Sequence, residues 1–224
     1  MSNASKSEQR ANRRKAAKRK DQMRNMIWIG AGALLVAVAL ILPNIDFTPP
    51  EIVDYQMTDF NMIGDPNAPV VVEEYGDYQC SHCRNFHNES EMTLIEDYVY
   101  SGKVLFIYHS AGDYFPGSGK AAEANYCAGD QGMFWQYKDL LFDNLAGNFS
   151  QARLISDAES IGLDKATFTD CLELGKYADL VSQDYTDFQN SGAAGTPSFL
   201  VNGVLAVGGD DYEGLVAAIE AALP

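Results

Sequence analysis

The apolar positions along the chain fall into segments of different period. Residues 26–42, MIWIGAGALLVAVALIL, run for 17 positions without a charge and end at Pro43, at the short end of what crosses a bilayer as a helix. Residues 70–75, VVVEEY, form a β-branched run of strand length after the turn signal Gly64-Asp65-Pro66-Asn67-Ala68-Pro69. No Gly or Pro occurs from Ser81 to Ser101, and Phe86, Leu94, Ile95 and Tyr98 recur at spacings that predict an amphipathic helix. Residues 103–109 read as a second strand, giving β-α-β.

Residues 118–190 are helical in character, with Phe134, Trp135, Tyr137, Leu140, Leu141 and Phe142 as core candidates and breaks near Gly147 and Gly162. They predict three or four helices. The short apolar runs 198–201 and 204–207 flank Asn202-Gly203, a strong hairpin signal. Residues 211–223 predict a closing helix. The expected organisation is a basic tail at 1–25, a membrane anchor at 26–42, a solvated Pro-rich linker at 43–58, and one α/β domain at 59–224 with a helical insertion at about 117–191.

Charge supports this division. The chain of 224 residues has a net charge of -15, but residues 1–25 carry nine Lys/Arg against Glu8 and Asp21, about +7. The remainder carries seven against 29 acids, about -22. An acidic body excludes nucleic acid as a partner, because phosphate binding relies on clustered cations. Basic residues before the apolar run place the tail in the cytoplasm and the body outside it by the positive-inside rule. A cleaved secretory signal is the rival reading, although no small-x-small site follows the apolar run at Pro43-Asn44-Ile45-Asp46 and no cysteine follows for a lipid anchor. Both readings export the body to a compartment that permits disulfides.

Four cysteines carry the candidate chemistry. Cys80-Ser81-His82-Cys83 stands where the first helix begins. At a helix N-terminus, unpaired N–H groups and the macrodipole favour a thiolate at Cys80, with Cys83 about a turn further in as its resolving partner. An imidazolium at His82 would favour the thiolate further and make the disulfide a better oxidant. The same spacing serves metal sites, and Cys80-x2-Cys83-x3-His87 would suit a copper or zinc carrier. Three His and no second Cys-x-x-Cys make a poor closed zinc site, so neither a metal nor a cofactor is assigned. Cys127 and Cys171, an even leftover pair in an exported chain, suggest a structural disulfide, with two buried thiols as the alternative.

In combination, Glu74 six residues before Cys80, the run Tyr78-Gln79-Cys80-Ser81-His82-Cys83, and Gly195-Thr196-Pro197 ahead of a hairpin and helix resemble the DsbA-type branch of the thioredoxin superfamily. The resemblance covers about residues 60–224. It implies a thioredoxin-like fold with an inserted helical subdomain, Glu74 as a buried proton acceptor for Cys83, and a cis Pro197 facing Cys80. It also implies that Thr196 offers backbone hydrogen bonds to a substrate peptide bound as an extra strand. Strand alternation alone leaves Glu73 as an alternative to Glu74. Ser81 departs from the family, which often has Pro there, and His109-Ser110-Ala111-Gly112 differs from the expected apolar and basic sequence, as if forming a different partner surface. The implied activity is thiol-disulfide exchange, as a dithiol oxidase of exported proteins with reduced cysteines. A quinone-linked membrane oxidase of the DsbB or vitamin K epoxide reductase type would re-oxidise it. A reductase or isomerase on the same fold, or a copper/zinc-binding chaperone, is the alternative.

Overall fold

The computed structural model describes residues 53–143 and 149–224, together with Lys20, Met23, Met26 and Trp28. The basic tail and the expected anchor at 26–42 otherwise lie outside the described residues, as does the break near Gly147. Among the described residues, no helix is long and apolar enough to cross a membrane.

Among the described residues six strands form one sheet in the order β1-β2-β4-β3-β5-β6. They are β1 Met57–Asp59, β2 Met62–Ile63, β3 Val70–Gly76, β4 Val104–Ser110, β5 Ser198–Val201 and β6 Val204–Gly208. At the centre β3 and β4 run parallel, from Val70 opposite Val104 to Gly76 opposite Ser110. Their connection is a helical segment, α1, over residues 81–99, as parallel strands require a long crossover. Within α1, π-helical turns at His87–Glu91 and Ile95–Val99 interrupt the α-helical pitch. Phe86 packs on Phe199 of β5 with ring centroids 4.6 Å apart, fixing α1 against the sheet. β5 lies antiparallel to β3 on its other side, and the β5–β6 hairpin turns at Asn202 and Gly203, both with positive φ as that tight turn demands.

Among the described residues the insertion holds five helices rather than three or four: α2 Ser118–Gly129, α3 Phe134–Asp143, α4 Gln151–Ser160, α5 Lys165–Glu173 and α6 Ala178–Asn190. Asp164 caps the N-terminus of α5 by accepting from the Thr167 N–H, a local start signal that the apolar pattern does not show. The chain closes with α7, Tyr212–Ala222, capped by Asp211. Buried side chains from the sheet, α1, α7 and the insertion form a main core that includes Trp135, Tyr78, Tyr108 and Phe142, and a smaller cluster gathers Tyr75, Ala111, Phe188 and Leu200.

The linker and the edge strands differ from expectation. Tyr55 is buried, its ring 5.7 Å from that of Trp135 and its hydroxyl donating to Asp139 at 2.9 Å. Tyr55 therefore pins this segment to the domain, while Asp54, Gln56, Met57 and Thr58 stay exposed, and β1 starts at Met57. Two strands of three and two residues are too short for any alternation to be read. Phe60, which stacks on Tyr126 at 5.7 Å, anchors the turn between them.

Candidate active site

β3 delivers its side chains alternately to the two faces of the sheet. Glu74 falls on the buried face with Val70 and Val72 and is 1% exposed, while Glu73 faces the other way and meets His109 Nε2 at 3.4 Å. This selects Glu74 over Glu73 as the buried strand acid. Gly76 ends the strand where an added Cβ would lie 2.7 Å from the Tyr108 ring, so only Gly fits. The chain then turns through Asp77, whose carbonyl accepts from the Cys80 N–H at 3.1 Å.

Cys80 caps α1 in an extended conformation, and Cys83 sits one turn in, fully buried. Both are free thiols. Facing them, the Thr196-Pro197 peptide bond is cis, and Cys80 Sγ donates to the Thr196 carbonyl at 3.1 Å. The Asp77 N–H points at Cys83 Sγ, 3.4 Å away.

This arrangement drives the two thiols apart in acidity. Hydrogen bonding from Cys83 to Cys80 outweighs partial burial; the Thr196 side chain and the backbone N–H groups of Cys83 and His82 add to it, and the Cys80 pKa falls to about 5. Burial, then the neighbouring Cys80, push Cys83 well above the ordinary thiol range. Burial raises Glu74 to about 8 against the opposing charge of Lys138, with Glu91 and Cys80 adding to the rise. Its Oε2 has no hydrogen-bond partner. At neutral pH the site thus holds a thiolate at Cys80, a thiol at Cys83 and a carboxyl able to hold or release a proton. Such a trio can break and remake a disulfide.

Other candidates land elsewhere. His82 is exposed, with Nδ1 3.1 Å from Asp210 Oδ1, and its contribution to Cys80 is its backbone N–H. His87 turns to Glu91 at 3.1 Å and stacks on Phe142, so it does not join the cysteines as a metal ligand. His109-Ser110-Ala111-Gly112 is not an exposed loop. His109 and Ser110 end β4, Ser110 and Ala111 are buried, and the His109 ring lies between Glu73 and Asp184 at 3.4 Å each. Those carboxylates overcome burial and raise its pKa to about 9. Cys127 and Cys171 form a disulfide that ties α2 to α5.

Sequence reasoning missed Asp77, Glu91 and Lys138. Asp77 is buried and accepts from Gln79 N at 2.7 Å, Phe115 N at 3.0 Å and Ser118 Oγ at 2.6 Å, tying the cysteine turn to the start of the insertion. Lys138 is also buried, with Nζ 2.6 Å from both Glu91 oxygens. An acid placed immediately before the aromatic-polar-Cys run Tyr78-Gln79-Cys80 could have been flagged at Asp77, but nothing local marks Lys138 or Glu91.

A thioredoxin-like sheet carrying a Cys-x-x-Cys pair split in acidity over a buried acid and facing a cis proline is similar to the sites of DsbA-type proteins. The chain belongs to the thioredoxin family: the family model described as thioredoxin matches residues 57–221. The oxidised crystal structure of BdbD from Bacillus subtilis superposes with a TM-score of 0.64 at 25% identity, covering 72% of this chain and 91% of that one. Disulfide bond formation protein D of Bacillus subtilis is 26% identical over 175 residues, 71% of this chain and 75% of that protein. A Na(+)/H(+) antiporter NhaA 1 of Salinispora arenicola is 34% identical over 159 residues, which is 71% of this chain but only 24% of the antiporter. The chain thus spans about a quarter of that relative, and the antiporter name describes a far larger protein.

Proposed function

We propose that this chain is a membrane-anchored, extracytoplasmic dithiol oxidase that introduces disulfides into exported proteins through Cys80 and Cys83. The observation that carries the reading is the divided acidity of the pair above a carboxyl at Glu74 that is buried and unpaired at one oxygen. A substrate thiolate attacks Cys80 Sγ of the Cys80–Cys83 disulfide, and Cys83 leaves as a thiolate that takes its proton from Glu74. The substrate's second thiolate then attacks the substrate sulfur of the mixed disulfide, and Cys80 departs as a stabilised thiolate. Two electrons have moved from the substrate to the cysteine pair. Thr196 supplies main-chain hydrogen bonds that hold the substrate segment beside the cis Pro197.

Re-oxidation falls to a quinone-linked membrane oxidase of the DsbB or vitamin K epoxide reductase type. The charge-free run at 26–42, behind a tail of about +7, supports anchoring with the domain outside the cytoplasm. A shared membrane raises the encounter rate of the two enzymes. The name of the Bacillus subtilis relative, a disulfide bond formation protein, agrees with this direction of electron flow. Trapping with Cys83→Ala in cells is the test. Exported cysteine proteins should accumulate as mixed disulfides on Cys80, from a parent whose site is mostly oxidised. A parent found mostly as the dithiol, with a strongly reducing potential, would sink the oxidase reading in favour of a reductase.

A further inference from the structure

Beside Glu74 lies a second group of buried charges that the exchange chemistry does not use directly. Lys138 of α3 is fully buried, and its Nζ lies 5.0 Å from the centroid of Tyr108, the β4 neighbour of Glu74 in the sheet. The same nitrogen lies 2.6 Å from both oxygens of Glu91 on α1, itself 2% exposed. Glu91 Oε2 also meets His87 Nδ1 at 3.1 Å. Glu74 keeps one oxygen without a partner although this buried cation acts on it electrostatically.

We propose that Glu91 and Lys138 are positioning residues for the proton carried at Glu74: Glu91 engages the Lys138 ammonium through both oxygens and withholds it from Glu74. The inference rests on the reading of Glu74 as the proton carrier of the site. An ammonium free to bond Glu74 would fix that carboxyl as an anion, and Cys83 would then leave as an unprotonated buried thiolate. Held by Glu91, the same ammonium only moderates the cost of charging Glu74. The carboxyl can therefore give its proton to Cys83 when the disulfide is reduced and recover one from solvent before the next cycle. During re-oxidation it takes the Cys83 proton back.

The groups facing this cluster come from several elements. Cys80, Cys83, Tyr78 and Tyr108 face Glu74. His87, Asp139 and Tyr55 face Glu91, and all three border a cavity of about 250 Å3 that also touches Glu91. Burial alone would push Glu91 up, but Lys138 and His87 prevail and hold it at about 2, so it keeps its charge at neutral pH.

Two substitutions should act with opposite sign. Glu91→Gln keeps the shape and an acceptor for Lys138 while removing a negative charge and loosening the ammonium, so Glu74 should ionise more easily. Lys138→Met removes the attraction and should make ionisation harder. The readout is the carboxyl-carbon NMR titration of Glu74 in the reduced full chain, assigned by its loss in Glu74→Gln. The parent midpoint is expected near 8. It should fall by about one pH unit or more in Glu91→Gln and rise in Lys138→Met, the usual scale for a neighbouring charge. Shifts of the same sign in both variants, or no shift in Glu91→Gln, would overturn the proposal. If Lys138→Met does not fold, the sign and size of the Glu91→Gln shift decide alone. Opposite shifts in a chain that traps no substrate would leave this proposal standing while removing the oxidase reading; a parent Glu74 midpoint near 4.5 would remove both the proton-carrier reading and this one.

Discussion

Cys80 and Cys83 stand three residues apart at the head of α1, whereas Cys127 and Cys171, 44 residues apart, join α2 to α5 inside the insertion. Burial does not separate the pairs: all four side chains are less than 10% exposed. Their surroundings do. Cys80 receives N–H groups from the first turn of a helix and a hydroxyl-bearing neighbour in Thr196, with an acid behind its partner. Cys127 lies in the apolar interior of the insertion, and the polar neighbour of Cys171 is Asp130, at 3.8 Å. A thiolate stabilised at Cys80 makes one disulfide easy to reduce; the other has no such stabilisation and acts as a cross-link.

The largest expected effect comes from exchanging these roles. Cys80→Ser should lower oxidation of a dithiol peptide by roughly a thousandfold or more, as loss of a nucleophile does. The double variant Cys127→Ala/Cys171→Ala should keep most of that activity wherever it remains folded. Its cost should appear in urea unfolding, as a loss of up to about 4 kcal/mol for a loop of this length. A double variant that stays folded but no longer oxidises the peptide would break the comparison, making the second pair part of the redox path.

A smaller effect separates the pairs by pH. The Cys80 pKa lies at about 5 in the folded dithiol against 9.0 for an ordinary thiol. A depressed folded-state pKa contributes stability that is complete above the unfolded value and is lost as pH falls through the folded one. The reduced protein should therefore gain stability over the oxidised protein as pH rises from about 5 to about 9. Glu74, raised from 4.5 to about 8, works in the opposite direction, losing stability across that interval. It is present in both redox forms, so the difference between their melting temperatures removes its effect except for the smaller part that the Cys80 charge adds to it, and reports mainly on Cys80. Paired thermal melts and thiolate ultraviolet absorbance measure this. A difference that stays flat across the interval would mean that Cys80 titrates as an ordinary thiol and that the surroundings of the two pairs do not matter.

How much of this contrast the chain discloses beforehand depends on the range of the interactions. The Cys-x-x-Cys spacing, the β-branched run at Val70–Gly76 and the Asn202-Gly203 turn are local, and each forms where its residues indicate. Thr196-Pro197 and Glu74 became interpretable through a family resemblance rather than from their own neighbourhoods. Lys138 could not be read at all. It lies on a helix among Phe134, Trp135 and Leu141, and only the arrival of Glu91 from a helix 47 residues away in sequence makes its burial tolerable. The edge strands β1 and β2 escaped for a different reason, since two or three residues have no period and depend on Phe60 and Ile63 finding the core. His109 looked like an unusual loop residue because its partners, Glu73 and Asp184, come from another strand and from α6.

The smallest expected effect concerns His82, which sequence reasoning made an electrostatic aid to Cys80. Its ring is 62% exposed and paired with Asp210, itself 38% exposed. Pairs this open are screened by solvent and salt and contribute little. What reaches Cys80 from this residue is a backbone N–H, which substitution does not remove. His82→Ala should therefore change the rate of peptide oxidation and the Cys80 thiolate midpoint only slightly, within about threefold and about half a pH unit, with the difference shrinking as salt is added. Asp210→Asn, which leaves the imidazole without its carboxylate, should do no more. A rise of the thiolate midpoint by more than one pH unit in His82→Ala would show that the side chain, rather than the helix terminus and Thr196, distinguishes Cys80 from the cysteines of the cross-link.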